Sequence, residues 1–299
     1  MARGYDDEQV KERLINLLSG SKTGLSGVEI SAELGINRVT MTKFLNVFAA
    51  EGIIKQKNIG NVNLWLIEEG IEHLKFPDDY FRVQEKYLDF LIHGSESAIN
   101  NLIRNCISSN ANVTKLMTEV VIPSVIQINS LFDAGRIGKS EQQFLNGIIS
   151  NSLQVINLGH YKQESNKNVI VLSSDPQSIL YAEAASASFR SDGWNVFSLG
   201  DMSSAIDVLF DLDLKKMLTK IWKSKQNIMI IVVFSSTEEG LKFFSESFDS
   251  IKGKTEKNLF LVLSGKVGKK IKIKSDLLTE KLEDIMQWSQ TKYESLSLK

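Results

Sequence analysis

The sequence predicts a multidomain chain of α and α/β class: an N-terminal winged helix-turn-helix, a four-helix bundle and a C-terminal Rossmann-like domain on a parallel sheet. Three observations predict it. Three short helical patterns followed by a hairpin pattern occupy the first 70 residues. A long stretch of helical periodicity follows, and the remainder alternates short β-branched runs with amphipathic segments. The boundaries fall at 1–72, 78–160 and 166–295.

A chain of 299 residues has room for two or three domains. Its 42% hydrophobic and 24% charged content are those of a soluble globular protein. A net charge of −1 excludes a global basic field, so any nucleic-acid site has to be local. Cys106 is the single cysteine, which excludes an internal disulfide framework and suits a reducing compartment. The opening Met1–Asp7 lacks the apolar core of a signal peptide and no run approaches the length of a membrane span, so a cytoplasmic protein is expected. His73, His93 and His160 with one cysteine leave little for a transition-metal site, and none is expected. There is no Gly-rich phosphate loop and no Gly-x-Ser-x-Gly, so no enzyme is expected either.

In the first domain, Val10, Leu14, Leu17 and Leu18 recur at helical spacing. Ser26 followed by Glu29 is a capping-box pair opening a second helix that stops at Gly35. A third helix runs from Asn37 to Glu51 with an apolar face at Val39, Phe44, Leu45 and Phe48. Gly52-Ile53-Ile54, the turn Asn58–Asn61 and the alternating run Val62–Leu66 make a hairpin, the wing of a winged helix.

These residues, in the pattern Leu25…Glu29-Ile30…Leu34-Gly35-Ile36…Arg38-Val39-Thr40…Lys43…Leu45…Glu51-Gly52-Ile53-Ile54, resemble the winged-helix heads of prokaryotic transcription regulators. The resemblance implies that Asn37, Arg38, Thr40, Met41 and Lys43 face the major groove while Lys55, Lys57 and Asn61 reach phosphates. Residues 1–70 carry 8 basic and 9 acidic side chains, but Arg38 to Lys57 carry four basic and one acidic, so the local face is positive. Double-stranded DNA is the expected partner.

Pro77 lies in a stretch, 71–79, that reads as a hinge between domains. Beyond it, Phe81 to Ile92 and Ala98 to Ile107 mark two helices, Lys115 to Ala134 a longer one interrupted by Pro123, and Ser140 to Leu158 a fourth. The α/β domain opens with Val169–Leu172, the loop Ser173–Gln177, a helix from Ser178 to Ser191, and the run Trp194–Phe197. Ligands of open parallel sheets sit beyond the carboxyl ends of the strands, which marks Asp175 and its neighbouring serines as a binding rim. A helix over Ala205–Lys223, a strand Ile228–Phe234, a helix Glu238–Ile251, a strand Leu259–Leu263, a lysine-rich edge strand Lys270–Ile273 and a helix Leu277–Tyr293 complete it.

A helical module ahead of a βαβ domain looks like the cobalamin-binding unit of corrinoid proteins. With the DNA-binding head in front, the chain resembles the cobalamin-dependent light-sensing repressors of the CarH type. In that family a proline, an Ile/Val-Gly, a tryptophan, a glycine and a Glu-His pair cap the corrin. The matching run here is Pro123, Ile128-Asn129, Phe132, Gly135–Gly138 and Gln142-Gln143. The family's Asp-x-His-x-x-Gly binds cobalt through its histidine; counting back from Gly193 places that histidine at Ser178 and the glycine at Tyr181. Its Ser-x-Leu element corresponds to Ser235-Ser236-Thr237 and its paired glycines to Ser264-Gly265. The scaffold fits and the ligand chemistry does not, since a hydroxyl is a poor cobalt ligand beside an imidazole. No cofactor is therefore assigned, and cobalamin in the usual His-ligated mode is not expected.

The resulting expectation is a DNA-binding transcriptional regulator, a homodimer or higher oligomer, whose cobalamin-binding-like region senses a small molecule or mediates oligomerisation. The pocket candidates are Phe132, Gln142, Gln143, Asp175, Ser178, Tyr181, Ser235, Thr237, Ser264 and Gly265. The alternatives are a corrinoid-binding methyl carrier and a protein-interaction module with a closed pocket.

Overall fold

The computed structural model describes every residue except 1–5, 22, 61, 160, 206–209, 225–226, 253–256, 269–272 and 298–299. The chain divides into two compact units, Met1–Ala111 and Asn112–Lys299.

The first unit contains α1 (Asp7–Ser19), β1 (Leu25–Ser26), α2 (Gly27–Leu34), α3 (Arg38–Ala50), β2 (Ile54–Ile59), β3 (Val62–Ile67), α4 (Tyr80–Ile92) and α5 (Glu96–Ser108). The Ser26 hydroxyl accepts from the Glu29 amide at 3.2 Å while Glu29 Oε2 accepts from the Ser26 amide at 2.7 Å, the reciprocal cap that starts α2. The three strands form an antiparallel sheet in the order β1-β3-β2. Leu14, Leu18, Ile30, Met41, Leu45, Phe48 and Trp65 close one core beneath it. Val39, expected in that core, is 68% exposed. The buried face of α3 runs through positions 41, 45 and 48, a spacing that turns position 39 outward.

The stretch read as a hinge is fastened down. Asn105 Nδ2 donates to the Glu72 carbonyl at 2.6 Å, Asn101 Nδ2 to the Glu69 carbonyl at 3.1 Å, and Arg82 Nη2 to the His73 carbonyl at 2.6 Å. Lys86 pairs with Glu72 at 2.8 Å. Gly70 makes the approach possible: its backbone is left-handed, and a Cβ there would fall on the Ala98 carbonyl of α5. Helices α4 and α5 thus share a unit with the head, and the unit boundary falls inside the 78–160 segment.

The second unit opens with α6 (Val113–Leu116), a π turn (Met117–Val121), α7 (Ile122–Asp133) and α8 (Lys139–Asn157). Pro123, expected as an interruption, occupies the first turn of α7; the π turn before it accommodates the missing N–H, and the helical backbone runs on. There follow β4 (Lys167–Ser173), α9 (Ile179–Ser191), β5 (Asn195–Asp201), α10 (Phe210–Ile221), β6 (Ile228–Phe234), α11 (Glu238–Ile251), β7 (Leu259–Ser264), β8 (Leu277–Thr279) and α12 (Leu282–Ser297). The sheet is parallel in the order β5-β4-β6-β7-β8, the doubly wound order in which the first and third strands of the domain are neighbours. The edge strand expected at Lys270–Ile273 falls largely outside the described residues. The fifth strand is β8, with Leu277 opposite Val262, so the last helix begins at Leu282 and not at Leu277.

Alternate positions of each central strand face opposite layers. Ile170, Leu172, Ile231, Val233, Leu261 and Leu263 pack with Leu214, Leu218, Phe244 and Phe248 of α10 and α11. On the other side, α9 packs against β4 and β5, and against α6, the π turn, α7 and α8. Such double burial demands small side chains, and Ala182, Ala184, Ala185, Ser186, Ala187 and Ser188 are each at most 2% exposed. Ala185→Leu should overpack this layer and lower stability by about 1–3 kcal/mol. Urea unfolding monitored by circular dichroism reads the loss, and an unchanged midpoint would show slack around α9.

Candidate functional site

At the carboxyl end of the sheet, β4 and β6 flank the point where the chain connections diverge, the usual ligand position of a doubly wound sheet. The loops after them meet around Asp175. Its Oδ1 accepts from the Ser178 amide and hydroxyl, both at 3.0 Å. Its Oδ2 accepts from the Ser236 amide at 2.8 Å, the Ser174 hydroxyl at 2.9 Å and the Ser235 hydroxyl at 3.3 Å. The hydroxyls of Ser174 and Ser235 lie 2.6 Å apart. Burial pushes the Asp175 carboxyl up, but the hydrogen bonds from Ser236, Ser174 and Ser178 outweigh it and hold the group below the ordinary aspartate range.

The rest of the rim closes over this cluster. Thr237 Oγ1 caps α11 by accepting from the Gly240 amide at 3.2 Å, and the Ser235 amide donates to the Ser264 carbonyl at 2.9 Å. A Cβ at Gly240 would strike the Ser174 and Ser235 hydroxyls, and one at Gly265 the Ser235 carbonyl. Asp175, Ser178, Ser235, Thr237, Ser264 and Gly265, singled out from sequence, are therefore brought together as one tightly packed seam. Tyr181 stands on the first turn of α9, half-buried, its hydroxyl proton held more firmly by that burial. Ser178, at the position the resemblance gives to a cobalt-binding histidine, is buried and bound to Asp175. His160 lies outside the described residues. Among those described, no group of three His, Cys, Asp or Glu is placed to hold a metal ion. The donor set here does not fit a histidine-ligated corrinoid.

The other pocket candidates serve the helical layer. Gln142 is buried; its Nε2 donates to Asn129 Oδ1 at 2.9 Å and its Oε1 accepts from Lys139 Nζ at 3.2 Å. Lys139 also lies 5.3 Å above the Phe132 ring. Gln143 is exposed.

On α3, Met41 is fully buried and cannot reach a groove; it belongs to the core stripe with Leu45 and Phe48. Thr40 is half-buried. Asn37 is exposed, with its side-chain oxygen capping the helix at the Val39 amide, 2.9 Å away. The outward stripe is Arg38, Val39, Thr42, Lys43 and Asn46; Thr42 and Asn46 were not foreseen, although they follow once the core spacing is fixed. In the hairpin, Lys57 is exposed, Lys55 is paired with Glu68 at 2.7 Å, and Asn61 lies outside the described residues.

No protein-family model matches this sequence, and no curated protein does. Among solved structures, the monomethylamine corrinoid protein of Methanosarcina barkeri aligns with a TM-score of 0.54 at 15% identity, over 70% of this chain and 98% of that one. The methanol:cobalamin methyltransferase complex of Methanosarcina barkeri aligns over 74% of this chain and 85% of that one, at 12% identity and a TM-score of 0.32, too low to carry weight. The likeness to the first is one of fold: the mixed helical and α/β chain with its parallel five-stranded sheet has a cobalamin-binding-like, Rossmann-like architecture. No helix among the described residues is long and apolar enough to cross a membrane.

A carboxyl held below its ordinary value stabilises the fold at pH above that of the unfolded chain, and the contribution disappears as pH falls through the folded value. Asp175 should therefore stabilise fully at neutral pH and lose its effect as pH drops below about 4. Asp175→Ala should cost about 1–3 kcal/mol at pH 7 through the donors it strands. The gap in Tm between variant and wild type should narrow in acid; a gap constant with pH would show that the ionised carboxylate is not what the seam depends on.

Proposed function

We propose that this chain is a DNA-binding transcriptional regulator, not an enzyme, whose corrinoid-protein-like unit senses or oligomerises without a histidine-ligated cobalamin. In this reading the three helices and hairpin of residues 7–67 are a winged helix and α3 is its reading helix. The observation that carries it is the outward stripe of α3, where Arg38, Val39, Thr42, Lys43 and Asn46 stand exposed over a core closed by Met41, Leu45 and Phe48. Cations there neutralise phosphate, the amide and hydroxyl offer hydrogen bonds to base edges, and Val39 offers an apolar contact to a thymine methyl. The partners are double-stranded DNA and a second copy of the chain.

Binding that rests on a few local cations is salt-dependent. Fluorescence anisotropy of the full chain with a mixed-sequence duplex should show affinity falling steeply with salt. Arg38→Ala with Lys43→Ala should weaken it about tenfold or more and lower the slope of log K against log salt by about 1–2. Equal affinity of the double variant at every salt concentration would remove α3 as the reader.

The fold likeness to the monomethylamine corrinoid protein favours a second reading, a corrinoid-binding methyl carrier. The seam at Asp175 and Ser178 counts against it, because a carrier of that kind holds cobalt through an imidazole. The absorption spectrum of methylcobalamin mixed with the full chain tests the ligation on which the carrier reading depends. We expect no imidazole-coordinated species; its formation would overturn the reading without a histidine-ligated cobalamin.

A further inference from the structure

A second polar site lies inside the C-terminal unit, adjoining the strand-tip seam at Ile179 and Gly200. Helices α8 and α9 and strand β5 border a partly open cavity of about 150 Å³ whose lining includes Gln154, Asn157, Glu183, Ser186, Arg190 and Ser198. The β4–β5 register slips between Ser198 and Gly200, which re-aims this edge of the sheet. Glu183, Ser186 and Arg190 follow each other at i, i+3 and i+7, so they form one stripe along α9.

Two atoms of that stripe lack partners. Ser186 is 1% exposed, and its hydroxyl makes no hydrogen bond. Glu183 Oε2 is buried without a partner, while the carboxyl meets Ser150 of α8 through a hydrogen bond. Burial raises the Glu183 carboxyl, and burial lowers the Arg190 guanidinium. Among the described ion pairs the two are not joined. Their spacing puts them about 10 Å apart along the helix, and Asn157 Oδ1 holds Arg190 Nη1 at 2.6 Å from the other side. An acid, a base and a hydroxyl thus line one partly open cavity with capacity to spare. Buried polar groups are almost always satisfied, and leaving one unsatisfied is costly.

We propose that this cavity binds a small zwitterion of the amino-acid class, its carboxylate on Arg190, its ammonium on Glu183, and Ser186 hydrogen-bonded to its polar edge. Each end meets the charge it lacks, and neutral amides from Gln154 and Asn157 complete the lining. The volume suits such a solute: it is well above the ~10–15 Å³ that a single water needs. This site is separate from the DNA reading, and its test does not use DNA.

The experiment is calorimetric titration and thermal unfolding of the full chain with L-alanine, β-alanine and 4-aminobutyrate, whose charges are differently spaced, and with acetate and methylamine as the separate halves. At least one zwitterion at millimolar concentration should bind and raise Tm by about 4 °C or more. The halves, alone or mixed, should not. Arg190→Gln should abolish the shift. Ser186→Ala removes an unsatisfied hydroxyl, so it should leave the unliganded Tm equal or higher while weakening the ligand about tenfold, a pairing that misfolding cannot produce. The proposal is overturned if no zwitterion binds, if acetate or methylamine shifts Tm as much, or if Ser186→Ala binds as tightly as wild type.

Discussion

The C-terminal unit depends on the double burial of α9. One side of this helix lies on β4 and β5, the other beneath the helices that run from Val113 to Asn157. Alanine and serine fill the run from Ala184 to Ser188, so the helical layer approaches the sheet there without a thick seam of side chains. At the helix end the packing turns aromatic: Phe189 of α9 and Trp194 meet edge to face at 5.4 Å. Cavity space and close packing coexist along α9 because Glu183 and Arg190 interrupt the small-residue run on a single face.

The strand-tip seam shows how a doubly wound sheet can keep its architecture and change what its ligand position does. Loop ends that are open in a binding site are here spent on one another, with a single carboxylate within hydrogen-bond distance of two amides and three hydroxyls, of which Ser174 and Ser235 also pair with each other. A half-buried carboxylate with that many donors is well satisfied. Fold likeness at 15% identity carries over the layers and the strand order, and these particular side chains decide the chemistry.

Much of the fold was legible because it rests on local rules. The Ser26–Glu29 cap, the glycine stop at Gly35 and the apolar strand Ile228–Phe234 all appear where propensity and periodicity put them. Val39 and Met41 exchanged faces because several apolar residues compete along α3, and only tertiary packing selects the 41–45–48 stripe. Leu277 and Leu278 read as the start of a helix, since two leucines do not distinguish a short edge strand from a first turn; pairing with β7 decides it. Of the site, Asp175 and its serines were legible from their place after a strand, whereas Gln142 satisfies Asn129 and Lys139, partners that sequence spacing does not reveal. The stripe of Glu183, Ser186 and Arg190 was written at helical spacing but was masked by the alanines around it.

The docking of residues 68–73 onto α5 also settles where this chain is modular. A head excised at residue 72 would leave Asn101, Asn105 and Lys86 without the carbonyls and carboxylate they hold, and Gly70 without the surface that demands it. The natural cassette is 1–111, the compact unit that keeps these contacts together. Fusions to a foreign domain belong at Ala111–Asn112, with α4 and α5 kept on the N-terminal side.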